Sequence, residues 1–395
     1  MADTNDTYIP NDILISILKR LPSKTLIQFL IVSKSWYSLI TNPNFINSHL
    51  HHHKSLSLLH PNHHLFLLES HFRCSLFRYG DHFYQRTFIP SPPGEFGSVA
   101  ASYNGLICFF DSKLRNLLLW NPSINKFLQI EQPPILHSSS FQMFSIVGLG
   151  FNPIENDYKL VLFDYDRMYA YGGEDYSPLN VQVYSVNGDV NLGWKRLILP
   201  PSFPCDDLSH VSEACVVNDF IHWIVFRGGI DQVNEHMMGM KEFGASILSF
   251  DPRNDCFGEI QLPKCLIKEV DPDLCLAVID DSLVVIHLGA SEDTLLKYSA
   301  IVWKMEEYGV EESWKVLYRI NLPYVFGTNW NIWDKEEGKV FITTSWGTLI
   351  VFHANNGSSS GFSGEVAMIG GQAFDYTESL VLLDGFSGAS WLHME

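Results

Sequence analysis

Four groups of residues have types and spacings that could do chemistry. Gly357-Ser358-Ser359-Ser360-Gly361 fits G-x-S-x-G, the pattern of a nucleophilic serine on a strand-to-helix elbow. Its flanks are Asn355-Asn356 and Gly364, so a flexible loop is the expectation. Gly148-x-Gly150 begins like a dinucleotide loop but lacks the third glycine and a following helix, and reads as a strand bend. His49, His51, His52, His53, His60, His63 and His64 are potential metal ligands. No Cys, Asp or Glu is interleaved at ligand spacing, so a solvated linker is expected and no metal. Glu306-Glu307 and Glu311-Glu312 resemble a carboxylate pair but flank Tyr308-Gly309, where a solvated hairpin is the simpler reading. No cofactor is implied by any of these groups.

Composition agrees with a folded chain. Of 395 residues 46% are apolar and 13% aromatic, far too many for disorder. The formal charge of −18 disfavours nucleic acid and anionic lipid as partners. The imbalance is uneven: residues 1–60 hold five basic and three acidic residues, leaving −20 on the remainder. No charge-free apolar run reaches 18 residues, so no transmembrane helix is expected. Residues 1–8 are too polar and acidic for a secretory signal or presequence. Seven cysteines without a C-x-x-C motif read as buried free thiols. The expected location is cytoplasmic, with the nucleus also open to it.

The elements that carry function begin with residues 9–50. Ile9, Ile13, Leu14, Ile17, Leu18 and Leu21 recur at helical spacing. Pro10 suits a first helical turn, Ser23 an N-cap, and Ser33 or Ser35 the start of a third helix carrying Trp36. About forty residues cannot bury so much apolar surface alone, which argues for packing on the rest of the chain or for a foreign helical partner. Ile9-Pro10-x-Asp12-Ile13-Leu14, Ile17-Leu18-x-x-Leu21-Pro22-x-Lys24-Thr25-Leu26, Phe29-x-x-Val32-Ser33-Lys34-Ser35-Trp36, Leu39-Ile40 and Phe45 together resemble the plant-type F-box. Gln28 and Leu30-Ile31 depart mildly from that pattern. The resemblance implies docking to a Skp-type adaptor through Ile9, Pro10, Ile13, Leu14, Ile17, Leu18, Leu21, Pro22, Leu26, Phe29, Val32 and Trp36, and through it to a cullin–RING ligase.

Beyond residue 60 short runs of Val, Ile, Phe, Tyr and Trp alternate with Gly, Pro, Asn and Asp. One strand–turn–strand theme recurs at Leu119-Trp120-Asn121-Pro122, Val183-Tyr184-Ser185, Leu248-Ser249-Phe250-Asp251-Pro252 and Val302-Trp303-Lys304-Met305, with degenerate copies at Ser75-Leu76-Phe77 and Leu349–Phe352. Two more strands precede most copies. Four strands per repeat, six times over, predict a six-bladed β-propeller, with Ser379–Leu383 closing the ring; two β-sandwiches are the alternative. Trp120, Trp194, Trp303 and Trp314 fall at repeat positions and are expected in the core.

In order, Asn104-Gly105-Leu106-Ile107-Cys108, Leu119–Pro122, Gly148-x-Gly150-Phe151, Asp157-Tyr158-Lys159-Leu160-Val161, Ile221-His222-Trp223 and Val302–Trp314 resemble the type 1 F-box-associated domain, with a weaker likeness to the S-locus F-box-like branch. The implied fold class is α+β: a small three-helix F-box (1–50), a His-rich linker (51–62) and an all-β, six-bladed kelch-like propeller (63–395). The implied function is the substrate-recognition subunit of an SCF ubiquitin ligase, itself no enzyme, with an unidentified target whose surface is basic. A propeller hydrolase or sugar-binding protein with a helical cap is the alternative. The long insertions after Asp164-Tyr165 and after Arg227 supply Tyr169, Tyr171, Tyr176, Met237 and Met238 as candidate target contacts, joined by Trp330, Trp333 and Trp346.

Overall fold

A computed structural model describes residues 10–59, 65–70, 73–78, 85–89, 97–111, 114–130, 143–166, 180–187, 193–199, 214–227, 230–231, 239–240, 244–266, 273–290, 298–322, 331–336, 339–343, 348–353, 364–368 and 372–381. Four helices come first: α1 (Asn11–Leu18), α2 (Ser23–Phe29), α3 (Lys34–Ile40) and α4 (Pro43–Leu59). Pro10 and Pro22, at ψ near 142° and 146°, occupy the cap positions of α1 and α2, so Ser23 is helical rather than a cap. Ser33 caps α3, its Oγ accepting the Trp36 N–H at 3.2 Å. Asn42 Oδ1 accepts from the Asn44 N–H at 2.9 Å, and Pro43 opens α4 where a missing N–H costs nothing. Helix α4 runs 17 residues, so the segment read as a linker is helical through Leu59 and the module has four helices rather than three.

The described strands fold as six antiparallel four-stranded sheets and one two-stranded hairpin. The first sheet takes β1 (Leu65–Ser70), β2 (Arg73–Arg78) and β3 (Gln85–Phe88). The second is β4 (Ser98–Tyr103), β5 (Leu106–Asp111), β6 (Asn116–Asn121) and β7 (Lys126–Ile130). The third is β8 (Met143–Asn152), β9 (Asp157–Asp166), β10 (Asn180–Ser185) and β11 (Lys195–Leu197). The fourth is β12 (Cys215–Val217), β13 (Phe220–Arg227), then β16 (Gly244–Asp251) and β17 (Cys256–Gln261), with the hairpin β14 (Ile230–Asp231) and β15 (Gly239–Met240) between them. The fifth is β18 (Asp273–Ile279), β19 (Ser282–Ala290), β20 (Tyr298–Met305) and β21 (Trp314–Leu322). The sixth is β22 (Asn331–Glu336), β23 (Lys339–Thr343), β24 (Thr348–His353) and β25 (Gly364–Met368). Strand β26 (Gln372–Tyr376) returns to pair with β1, in register from Leu65↔Tyr376 to Glu69↔Gln372, and completes the first sheet. The recurring theme is thus the outer hairpin of each sheet, and the propeller expectation holds. The closing strand lies upstream of the expected Ser379–Leu383.

The innermost strands pack on one another around the axis: β4 on β8, β12 on β18, β18 on β22 and β26 on β4. Second and third strands are covered on both faces by neighbouring sheets, which is why Leu106–Phe110 and Leu117–Trp120 are unbroken apolar runs. The outer strand β17 is open to solvent at Cys256, Gly258, Glu259 and Gln261. Trp120, Trp223 and Trp314 are buried, while Trp194 and Trp303 are half-buried. Gly148 and Gly150 do not bend β8, which pairs with β9 in unbroken register. A Cβ on Gly148 would lie 2.3 Å from the Trp223 ring and one on Gly150 2.8 Å from Ile221, so the two glycines admit the fourth sheet against the third. Cys74, Cys108 and Cys275 are buried as expected; Cys256 and Cys265 are exposed, contrary to expectation, and Cys205 lies outside the described residues.

Strand alternation sorts the turns between two rims. Turns from first to second and from third to fourth strands share one rim, together with the end of β26 and the start of β1. Helix α4 meets this same rim, with Asn47 at Asn156 and Lys54 over the Tyr103 ring. The facing ends of second and third strands, such as Asp164 with Asn180 and Arg227 with Gly244, lie at the other. Two-residue turns with positive φ, Asn104-Gly105, Asn218-Asp219 and Asp280-Asp281, close three inner hairpins on the helix-side rim.

Candidate docking surface

The helical module has a small core of its own. Leu18, Leu26, Ile40 and Phe45 are at most 4% exposed, clustered with Leu380 and backed by half-buried Leu14, Leu21, Phe29, Trp36 and Ile124. Phe29 and Trp36 meet edge to face at 5.1 Å. Leu18 and Leu26 therefore build the module and are not available as adaptor contacts, a correction to the expected set. The exposed apolar side chains are others: Ile13 (53%), Ile17 (49%), Val32 (60%), Ile31 (91%) and Tyr37 (54%). Ile13 and Ile17, four apart, share one face of α1; Ile31 and Val32 form the α2–α3 connection. Pro10 and Pro22 are exposed beside them, and Ile9 lies outside the described residues. Ile31 and Tyr37 were missing from the expected set. The signal for Ile31 was its place in the apolar run Leu26–Val32; nothing local singled out Tyr37.

Solvent is a poor home for five large apolar side chains on one small module. Burying a side chain of this class fully is worth about 1.5–3 kcal/mol, so even half-exposed ones reward a covering partner substantially. Among the described residues nothing covers this surface. The chain docks the module on the helix-side rim through α4 instead. Asn47 Nδ2 donates to Asn156 Oδ1 at 3.3 Å, Ile46 joins the cores of module and propeller, and Lys54 Nζ stands 5.0 Å above the Tyr103 ring. Burial lowers the Lys54 pKa, and the carboxylates of Asp375, Asp281 and Asp219 oppose that shift. Tyr103 Oη donates to Asp219 at 3.4 Å, and Arg253 pairs with Asp219 at 2.7 Å.

His49, inside the module, is fully buried. Its Nε2 donates to the Leu21 carbonyl at 2.9 Å and its ring lies 4.3 Å from that of His53. Burial, with smaller help from His53 and His52, holds its pKa down at about 4 against the backbone bond. The sign follows: below the ordinary histidine range the unfolded chain takes a proton that the folded one refuses. Stability is therefore full near pH 7 and is lost as pH falls towards 4, by up to about 2–3 kcal/mol. The expected outcome is that α2 and α4 lose amide-exchange protection, corrected for intrinsic rates, between pH 7 and 5, and that His49→Gln flattens this loss. Parallel loss in both proteins would remove His49 as its cause.

Among the described residues no group of three or more His, Cys, Asp or Glu is placed to hold a metal ion. Glu306 pairs with Lys315, and Glu311 with Lys264 at 3.7 Å, as a solvated hairpin would. No helix among the described residues is long and apolar enough to cross a membrane. Tyr169, Tyr171, Tyr176, Met237, Met238, Trp330 and Trp346, like Gly357–Gly361, lie outside the described residues; Trp333 is placed only as backbone of β22, opposite Phe341. The strands flanking the two insertions, β9 and β10 and β13 and β16, meet them at the rim opposite the helices. At the foot of the first, Arg115 grips Asp164 with two hydrogen bonds of 3.0 and 2.8 Å, and Ser145 Oγ donates to the same carboxylate at 2.6 Å.

A family model described as F-box domain matches residues 8–48, and one described as F-box associated beta propeller domain matches residues 95–382. The chain is 27% identical over 326 residues to F-box protein At4g22390 of Arabidopsis thaliana, covering 80% of this chain and 74% of that protein. It is 28% identical over 335 residues to F-box protein CPR1 of the same plant, covering 80% and 73%. Among solved structures, a chain from a nidogen/laminin complex superposes over 80% of this chain and 99% of its own at 9% identity and a TM-score of 0.41, too loose a likeness to carry an argument.

Proposed function

Because this chain belongs to the F-box proteins that carry an F-box associated β-propeller domain, we propose that it is the substrate-recognition subunit of an SCF-type ubiquitin ligase. The observation that carries this reading is the open apolar surface of Ile13, Ile17, Ile31, Val32 and Tyr37 on a module otherwise packed against its own propeller. A Skp-type adaptor covers that surface and connects the chain to a cullin and its RING partner. The chain contributes no reacting group; its work is proximity and orientation. The target is held at the rim away from the helices, where the two long insertions are anchored, so that adaptor and target occupy opposite ends of the propeller and do not compete. The acidic charge of the chain favours a target with a basic surface, through an association that weakens with salt.

The test is recovery of adaptor and cullin together with the tagged full-length chain, followed by transfer of ubiquitin to co-recovered proteins. Recovery of both supports the reading. Recovery of adaptor without cullin assigns the chain a role outside the ligase, and recovery of neither refutes the proposal.

A further inference from the structure

Strand β26 ends at Tyr376, and residues 377–381 continue along the helix-side rim. These five are bolted to the turn that joins β6 and β7. Tyr376 Oη and Ser123 Oγ lie 2.5 Å apart, and Ser123 Oγ accepts the Ser379 N–H at 3.2 Å. Asn121 Nδ2, buried, is shared among Ser379 O (3.3 Å), Ser379 Oγ (3.1 Å) and Val381 O (3.1 Å). Gly105, at φ +78°, lets the segment lie this close: a Cβ there would sit 2.4 Å from the Thr377 carbonyl oxygen. The next two side chains then part company. Leu380, 0% exposed, completes the core of the helical module with Leu18, Leu26, Ile40 and Phe45. Val381 enters the propeller core shared by the second and third sheets.

We propose that residues 377–381 are a clasp that completes the helical module only when β26 has closed the ring, so that adaptor capture depends on a closed propeller. The inference rests on the adaptor reading above and adds a condition to it. A module of some fifty residues has too little core to lose one of its few fully buried side chains. That side chain comes from the far end of the sequence, directly after the strand that pairs with β1. A chain with an unfinished or opened ring therefore presents its docking helices without their keystone, and is not loaded onto a ligase that it could not supply with a target.

The experiment uses the full chain with Leu380→Ala, Leu380→Met and Asn121→Ala, and Ile320→Ala in the core of the fifth sheet as a comparison of similar severity. Amide exchange and affinity for a purified Skp-type adaptor are measured on each. Leu380→Ala should speed exchange in α1–α3 by at least ~10-fold and weaken adaptor binding by a similar factor, through the cavity it leaves. Leu380→Met should stay within about threefold of the parent, since it keeps the volume. Asn121→Ala should speed exchange in both 377–381 and α1–α3, and Ile320→Ala only in β18–β21. Unchanged exchange in α1–α3 of Leu380→Ala, or an equal rise there in Ile320→Ala, overturns the clasp. Faster exchange with undiminished adaptor affinity overturns the dependence of capture on closure. Should the parent chain bind no adaptor, the adaptor reading fails, and the exchange results still decide the clasp.

Discussion

Aspartate at both Ile13 and Ile17 will weaken adaptor capture by at least ~100-fold, a loss in the range of two central anchor residues. Each side chain is about half exposed, so the free protein gives up little when it is replaced. In the complex each new carboxylate loses water against an apolar partner with nothing to pair it. Folding supplies the control: the denaturant midpoint of the double variant should match the parent. Leu26→Ala offers no such clarity. Leu26 is fully buried, and its truncation costs about 2–5 kcal/mol of the module's own core, so lost capture there says nothing about contact. Retained affinity in the Ile13/Ile17 variant would move the docking surface elsewhere.

The second large effect concerns the target-side rim. Arg115→Ala removes the only partner described for a carboxylate that is 1% exposed, apart from the Ser145 hydroxyl. Stranding one member of a buried pair costs about 3–5 kcal/mol, whereas removing both costs much less. Arg115→Ala should therefore lower unfolding stability by that amount, and the Arg115→Ala, Asp164→Leu double variant should recover a large part. Because Asp164 sits at the foot of the connection to β10, the single variant should also reduce target recovery while adaptor capture stays intact. A double variant no more stable than the single would show that the pair contributes through packing rather than charge.

Much of this architecture is written locally. The spacing of Ile13, Leu14, Ile17 and Leu18 announces α1, and the Asn121-Pro122 and Asp251-Pro252 turns announce the outer hairpins, because the side-chain oxygens of Asn121 and Asp251 accept the N–H two residues on. What the residues hide is long-range. The His-rich stretch has no apolar period; it is helical because Phe45 packs into the module core, Ile46 bridges that core to the propeller, Leu50 is buried and Lys54 reaches the Tyr103 ring. Nothing near Gln372–Tyr376 marks it as the closing strand, since its partner β1 lies some three hundred residues upstream. Leu380 likewise reads as one leucine in a short apolar run, and only the folded ring delivers it to the helices. The docking set suffered for a related reason. One apolar stripe supplies both core and contact residues, and the division between Leu18 and Leu26 within and Ile13, Ile17 and Ile31 without depends on how α2 and α3 pack.

The most direct test is the amide-exchange footprint of a purified Skp-type adaptor on the intact chain. The account predicts new protection over α1 and over residues 31–37, with strands β9, β10, β13 and β16 unchanged at their insertion-bearing ends. Protection confined to those far-rim strand ends, or none anywhere in α1–α3, would contradict it.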